Sequence, residues 1–188
     1  MKILIFLISL CISNAFAEEA IVAGGCFWCI EADMEKLSGV TSVVSGYTDG
    51  HKKNPTYKEV SSGSTGHTEA IKIVFDSKII TYQKIIEHFW RSIDPFAQDQ
   101  QFCDKGTQYR AGIYYLNDTQ RKIAESSLQK VNKKFAGKRI YTEIKKASTF
   151  YPAEDYHQDY YKKNPIRYKY YRFSCGRDKR TESIWGAK

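Results

Sequence analysis

Ala20-Ile21-Val22-Ala23-Gly24-Gly25-Cys26-Phe27-Trp28-Cys29 opens on an apolar run, passes through two glycines and ends on two thiols three residues apart. The apolar run reads as a short buried strand. Cys26 to Leu37 then carries a helix-forming composition (Glu31, Ala32, Met34, Glu35, Lys36, Leu37) until Gly39 ends it. A strand that turns directly into a helix puts Cys26 near the helix N-terminus, where free amide N–H groups and the positive end of the macrodipole favour thiolate over thiol. Cys29 at i+3 shares that helix face, and a disulfide between the two closes a small loop that is easy to reduce. Taken alone, a C-x-x-C is also compatible with an inert buried pair, a zinc half-site or a thioredoxin-like redox centre. The two large rings between the cysteines weaken the last of these and suggest a pocket for a small apolar group.

Outward from this turn the chain offers an extended run at Thr41 to Tyr47, a strand at Thr68 to Phe75 and a helix at Tyr82 to Ile93. That helix places Tyr82, Ile85, Ile86, Phe89, Trp90 and Ile93 on one face. A strand at Ala111 to Leu116, a helix at Asp118 to Phe135 and a strand at Tyr141 to Lys146 follow. The alternation predicts an α/β (α+β) two-layer sandwich, with helices packed on a ferredoxin-like mixed sheet. Thr48 to His67 and Asp94 to Arg110 fit neither period, and inserts of that length in a compact domain are usually functional. The tail from about residue 151 is rich in tyrosine and charge. It is expected to be irregular, with one helix over Glu154 to Lys162, and to wrap the core with Tyr160, Tyr161, Tyr168, Tyr170 and Tyr171 as packing side chains.

The first 17 residues read as an export leader: Lys2 is a minimal basic region, Ile3 to Ile12 an apolar one, and Ala15-Phe16-Ala17 a cleavage site ahead of Glu18-Glu19. The apolar stretch is too short for a permanent membrane span. Cleavage after Ala17 and a periplasmic or extracellular destination are therefore expected. Residues 18–188 then form a single domain of about 170 residues, enough for a sizeable core. Its four cysteines are Cys26, Cys29, Cys103 and Cys175, and in an oxidising compartment reduced thiols must be served by a dedicated electron donor. The formal charge of +8 is scattered, and no helix-turn-helix, RNP or zinc-finger pattern accompanies it, so no nucleic-acid partner is expected. Cys103 and Cys175 stand alone, without the second pair a zinc site needs; no metal is expected, and Cys103 reads as a buried or loop thiol. His67 and His157 read as structural hydrogen-bonding groups.

Together the motifs make the chain resemble the peptide methionine sulfoxide reductases of the A type. Gly24-Gly25-Cys26-Phe27-Trp28 resembles the signature of that family, Asn54-Pro55-Thr56-Tyr57 its first loop and Thr65-Gly66-His67-Thr68-Glu69 its acid. Asp104-Lys105-Gly106-Thr107-Gln108-Tyr109-Arg110 resembles its second loop, and Tyr156-His157-Gln158-Asp159-Tyr160 with Lys163-Asn164-Pro165 its late block. Five motifs in order, from about Ala20 to Pro165, are far more specific than a C-x-x-C.

The resemblance implies reduction of methionine S-sulfoxide, free or in oxidised proteins, to methionine. Cys26 is then the nucleophile and Glu69 the acid that protonates the sulfoxide oxygen, which requires burial to raise its pKa. Tyr57 and Tyr109 would hydrogen-bond that oxygen, and Phe27 and Trp28 would hold the S-methyl group. Asp104 matches the family's loop carboxylate that helps hold substrate backbone or water. Attack leaves Cys26 as a sulfenic acid, which condenses with a nearby thiol. Here the chain departs from the commonest pattern, which has glycine where Cys29 stands and resolving cysteines near the C-terminus. Cys29 is the first choice as resolving thiol, and Cys175, in Phe173-Ser174-Cys175-Gly176, is the alternative or a second relay. No bound cofactor is expected, because no phosphate loop or metal set is present; a thioredoxin-like or other dithiol donor would return the electrons to a monomeric protein. An exported thiol-disulfide oxidoreductase is the competing enzyme reading, and an exported binding module the competing non-enzyme one.

Overall fold

The computed structural model describes residues 17–187. The expected leader therefore lies outside the described residues, apart from its last residue, Ala17. In chain order the elements are β1 (Ala17–Gly24), α1 (Phe27–Met34), β2 (Val40–Thr48), α2 (Tyr57–Ser61), β3 (Thr68–Asp76), α3 (Tyr82–Arg91), β4 (Gln100–Gln101), β5 (Asp104–Lys105), β6 (Ala111–Tyr115), α4 (Asp118–Lys134), β7 (Glu143–Lys146), β8 (Tyr151–Pro152), α5 (Tyr160–Lys163), α6 (Pro165–Ser174) and α7 (Arg177–Trp185). The main sheet runs β7-β6-β1-β3-β2-β8 and is mixed: β6 and β7 are parallel, the other pairs antiparallel. β4 and β5 form a separate hairpin.

The alternation along β1 explains the layers. Ala20 and Val22 join Ile71, Ile73, Phe75 and the apolar faces of α1, α3 and α4, while Ile21 and Ala23 point to the other face, against Ala70, Tyr114 and Phe150. α3 buries the face expected of it, Tyr82, Ile85, Ile86, Phe89 and Trp90, and its N-terminus is capped by the Thr81 hydroxyl, which accepts from the Lys84 amide. Gly24 is required by packing: a Cβ there would lie 2.7 Å from Ile30 Cδ1.

The tail departs from expectation. It is largely helical, in three pieces, α5 to α7, rather than irregular with one helix over Glu154 to Lys162. Its periodicity hides this, because α6 exposes Ile166, Tyr170 and Phe173 while α6 and α7 bury Tyr168 and Arg177. Polar and aromatic side chains do the packing here. Arg177 is 2% exposed and its Nη2 donates to the carbonyls of Gly24 (3.1 Å) and Ser92 (2.9 Å), tying the tail to the end of β1. Trp185 Nε1 donates to the Ile93 carbonyl at 3.0 Å, and its ring meets Phe135 edge-on. The tail therefore does wrap the core. Among its tyrosines Tyr168 is buried, whereas Tyr170 is 75% exposed and is not a packing residue. Among the described residues no helix is long and apolar enough to cross a membrane.

Candidate active site

Cys26 occupies the N-cap of α1, one residue before the helix begins. Gly25 makes the turn with φ of 78°, and its missing Cβ leaves room for Gln101, whose Cβ would otherwise be 2.5 Å away. An acid takes the first amide of the helix: Phe27 N–H donates to Glu69 Oε2 at 3.0 Å. Glu69 lies on β3, paired in register with Tyr47 of β2, and is 2% exposed. Burial pushes its carboxyl up to about 8, against the opposing pull of the Phe27 amide; Asp104 and Cys29 add a smaller upward push.

A small pocket opens above this turn, lined by Cys26, Phe27, Trp28, Tyr57, Glu69, Asp104, Tyr109 and Tyr171, with a volume of about 80 Å³. Sites for whole small molecules run to roughly 300–1,000 Å³, so this one admits only the end of a side chain. Every catalytic and substrate-binding residue expected from the sequence is in it. Cys26, Phe27 and Trp28 come from the start of α1 and the others from separate elements, and the motifs show why. The late block locks onto α1 and β2: the Trp28 indole N–H donates to His157 Nδ1 (3.1 Å), the Trp28 ring stacks on Tyr160 (3.8 Å), and Gln158 spans the Ser45 amide and carbonyl (both 2.9 Å). Glu154 accepts the Tyr57 amide and the Tyr47 hydroxyl, each at 2.8 Å, which fixes the start of α2 and hence Tyr57. Arg110 joins Asp49 (2.8 Å), Glu143 (3.3 Å) and the Gly66 carbonyl (3.1 Å), and Thr68 Oγ1 donates to the Gln108 carbonyl (3.1 Å), so Tyr109 is held against the acid motif. Burial pushes the Tyr57 hydroxyl up to about 12 and Tyr109 upward as well, so both remain O–H donors.

The thiols differ from the expectation for Cys26. Burial pushes the Cys26 thiol up, and its hydrogen bond to Cys29 pushes the same way; Cys29 is drawn down to about 7 by that hydrogen bond first and by Arg177 and Arg172 behind it. At Cys26 burial, the neighbouring Cys29 and the Glu69 carboxyl all oppose the thiolate, whereas the two guanidinium groups act on Cys29. Arg172 Nη2 pairs with the buried Asp33 at 3.0 Å, and its Nη1 donates to the Cys29 carbonyl at 3.5 Å. Both thiols are free and buried.

Cys103 is neither buried nor a lone thiol: it forms a disulfide with Cys175 across 72 residues. Cys175 is therefore not a free thiol in this structure. Cys103 sits in the two-residue turn between β4 and β5, where Phe102 adopts φ of 54°, a conformation rare for a bulky side chain. The Arg177 guanidinium lies over the Phe102 ring at 4.5 Å and helps hold it there.

Tyr171 is the lining residue that the sequence reading assigned to packing alone. Its hydroxyl donates to Asp104 Oδ2 at 2.6 Å, it packs on the buried cluster that holds Cys26, and its ring stands edge-on to Trp28. Its position four residues before Cys175, one helical turn away, was the only available signal.

The family profile described as "Peptide methionine sulfoxide reductase" matches residues 18–188. The peptide methionine sulfoxide reductase MsrA of Bacillus licheniformis is 48% identical over 172 residues, 91% of this chain and 95% of that protein. The MsrA/MsrB of Vibrio cholerae is 49% identical over 176 residues, and the chain spans 47% of that longer relative. Among solved structures, Mxr1 from Saccharomyces cerevisiae in reduced form matches with a TM-score of 0.76 at 32% identity, covering 81% of this chain and 88% of that one. A structure of Mxr1 in complex with Trx2, at 22% identity and a TM-score of 0.56, shares the fold. With the motif residues gathered in one pocket, these likenesses are sufficient: the chain belongs to the peptide methionine sulfoxide reductase family, in its A type, and is an oxidoreductase that reduces methionine sulfoxide.

Proposed function

We propose that the chain acts on the S epimer of methionine sulfoxide, free or exposed on oxidised proteins, with Cys26 as nucleophile and Glu69 as acid. The observation that carries this reading is a carboxyl held up to about 8 at the floor of the same small pocket as the thiol. At neutral pH such a group still holds its proton. Phe27 and Trp28 form the apolar side of the pocket, suited to the S-methyl group, and Tyr57 and Tyr109 offer hydroxyl donors for the sulfoxide oxygen. The Cys26 thiolate attacks sulfur as Glu69 gives its proton to the oxygen. The S–S bond formed in that attack and the substrate's S–O bond then both break as the oxygen bonds to the Cys26 sulfur, so methionine leaves as the thioether and Cys26 is left as a sulfenic acid. Asp104 lies at the rim, placed to accept a substrate N–H.

Cys29 resolves that sulfenic acid. Drawn down to about 7, with Arg177 and Arg172 favouring its thiolate, it attacks the Cys26 sulfur as the hydroxyl leaves as water, giving the Cys26–Cys29 disulfide. Cys175, bonded to Cys103, serves as a second relay only after reduction. A thioredoxin-like dithiol donor reduces the active-site disulfide and is itself oxidised, in keeping with the complex of the yeast relative with Trx2. Export with cleavage after Ala17, and action as a monomer, complete the reading; N-terminal sequencing of the mature protein tests the first and its mass in solution the second.

The general thiol-disulfide oxidoreductase is the weaker reading, because it leaves Glu69, Tyr57 and Tyr109, gathered in one small pocket with Cys26, without a role. The deciding experiment supplies the separate S and R epimers of a methyl aryl sulfoxide with dithiothreitol. Loss of the S epimer alone, abolished in Cys26→Ser, is the expected result; consumption of neither epimer would overturn the proposal.

A further inference from the structure

A tyrosine hydroxyl has one hydrogen to give, and Tyr171 faces two acceptors with it. Its oxygen is 2.6 Å from Asp104 Oδ2, and it shares the pocket with the Cys26 sulfur, which its hydroxyl acts on electrostatically. Tyr171 also lines the pocket and packs on the cluster formed by Cys26, Cys29, Ala32 and Tyr168. In the resting arrangement the hydrogen goes to Asp104. Whatever occupies Asp104 Oδ2, whether a proton or a donor brought by substrate, frees that hydrogen to turn to the sulfur.

We propose that Tyr171 is a catalytic residue, a switchable hydrogen-bond donor to Cys26 whose hydrogen Asp104 holds until Asp104 finds another partner. The inference rests on the reading of Cys26 as nucleophile and deepens it: occupation of the rim carboxylate and activation of the thiol become one event. The covalent frame supports this. Cys175 is one helical turn beyond Tyr171, and Cys103 precedes Asp104, so the disulfide clasps donor and acceptor together, with Cys103 Sγ 3.8 Å from Asp104 Oδ1. The other charged or titratable groups facing Cys26 are Glu69 from β3, Tyr57 from α2, Tyr109 from the turn before β6 and Cys29 from α1; Arg177 acts on Asp104, and Arg172 on Cys29.

The test is the pH dependence of iodoacetamide alkylation of Cys26, without sulfoxide, in a Cys29→Ser parent with the Cys103–Cys175 disulfide intact, so that a single thiol titrates. Tyr171→Phe should raise the midpoint and Asp104→Asn should lower it, each by about one pH unit, a tenfold change in thiolate at fixed pH. In Tyr171→Phe the Asp104→Asn shift should shrink to less than half, because no hydrogen remains to be released. Equal Asp104→Asn shifts in both backgrounds, or an unmoved midpoint in Tyr171→Phe, would overturn the proposal. A structural role for Tyr171 would not make the Asp104→Asn shift depend on the Tyr171 hydroxyl. If Tyr171→Phe does not fold, 3-fluorotyrosine at 171 keeps the shape and is a stronger donor; it should lower the midpoint, and no movement overturns the proposal equally. Serines at both 103 and 175 should reduce the coupling between 104 and 171; full coupling would remove the clasp from the proposal. Consumption of the S epimer by the wild-type protein tests the nucleophile reading separately, since the alkylation data do not depend on any sulfoxide being reduced.

Discussion

Cys26 and Cys29 are free thiols buried on the first turn of α1, whereas Cys103 and Cys175 are joined across 72 residues at the edge of the same site. The first pair lies over Arg172 and Arg177, under a pocket that only a side chain's end can enter. The second is exposed at Cys103, whose sulfur lies 3.8 Å from the carboxylate of Asp104 and outside the lining of the pocket. The contrast teaches that burial and local charge, rather than the presence of a thiol, divide chemistry from scaffolding in one chain. It can be broken by moving function from one pair to the other.

The largest effect is expected from Cys26→Ser, which should lower sulfoxide reduction by about 10³-fold or more, because no other group in the pocket can take oxygen from sulfur. Stoichiometric formation of methionine in a single turnover measures it. Glu69→Gln should follow, with a loss of about 10²-fold or more in kcat/KM for sulfoxide. In the wild-type protein the acid form of Glu69 is lost as pH rises through about 8, so the rate should fall there, and the fall should vanish in the variant. Stability gives the same group a second readout. The native carboxyl holds its proton between 4.5 and about 8 where the unfolded one does not, so stability falls as pH rises through that window. Glu69→Gln removes that dependence, and its melting temperature should overtake the wild-type value progressively up to pH 8.

Cys29→Ser should leave the first turnover intact and accumulate Cys26 sulfenic acid, trappable with dimedone, while turnover with a protein dithiol donor drops by about tenfold or more. Because the thiolate of Cys29 is the attacking form, disulfide formation in the wild-type protein should slow as pH falls below about 7. A wild-type rate of disulfide formation in this variant would transfer the resolving role to the second pair.

The pocket was readable in the sequence because each of its parts lies in a compact local motif: a strand-to-helix turn for Cys26, an acid at the start of β3 for Glu69, and loop tyrosines for Tyr57 and Tyr109. The strands β1, β2, β3, β6 and β7 and the helices α3 and α4 were readable from apolar periodicity, whereas the short α2, β4, β5 and β8 carry no such period. Two further things were not readable. α6 and α7 present Ile166, Tyr170 and Phe173 to solvent and bury Tyr168 and Arg177, so a hydrophobic pattern reads them inside out. The balance between the thiols depends on burial and on Arg172 and Arg177, which act on Cys29 from more than 140 residues along the chain. Tyr171 combines both difficulties: it lies on the misread helix, and its partners come from α1 and β5.

The smallest effect on catalysis, and the one that completes the comparison, belongs to the exposed pair. Serines at both 103 and 175 remove a cross-link over 72 residues, which chain entropy values at about 4 kcal/mol. Denaturant unfolding should therefore show a lower midpoint with little change in slope. Sulfoxide reduction with dithiothreitol should fall only a few-fold, through looser placement of Tyr171 and Asp104. If instead reduction is lost while the unfolding midpoint is unchanged, the exposed pair carries electrons and the buried pair cannot complete the cycle alone. A lowered midpoint with retained turnover would leave Cys26 and Cys29 as the complete redox unit, held in position by a disulfide that does not need to react.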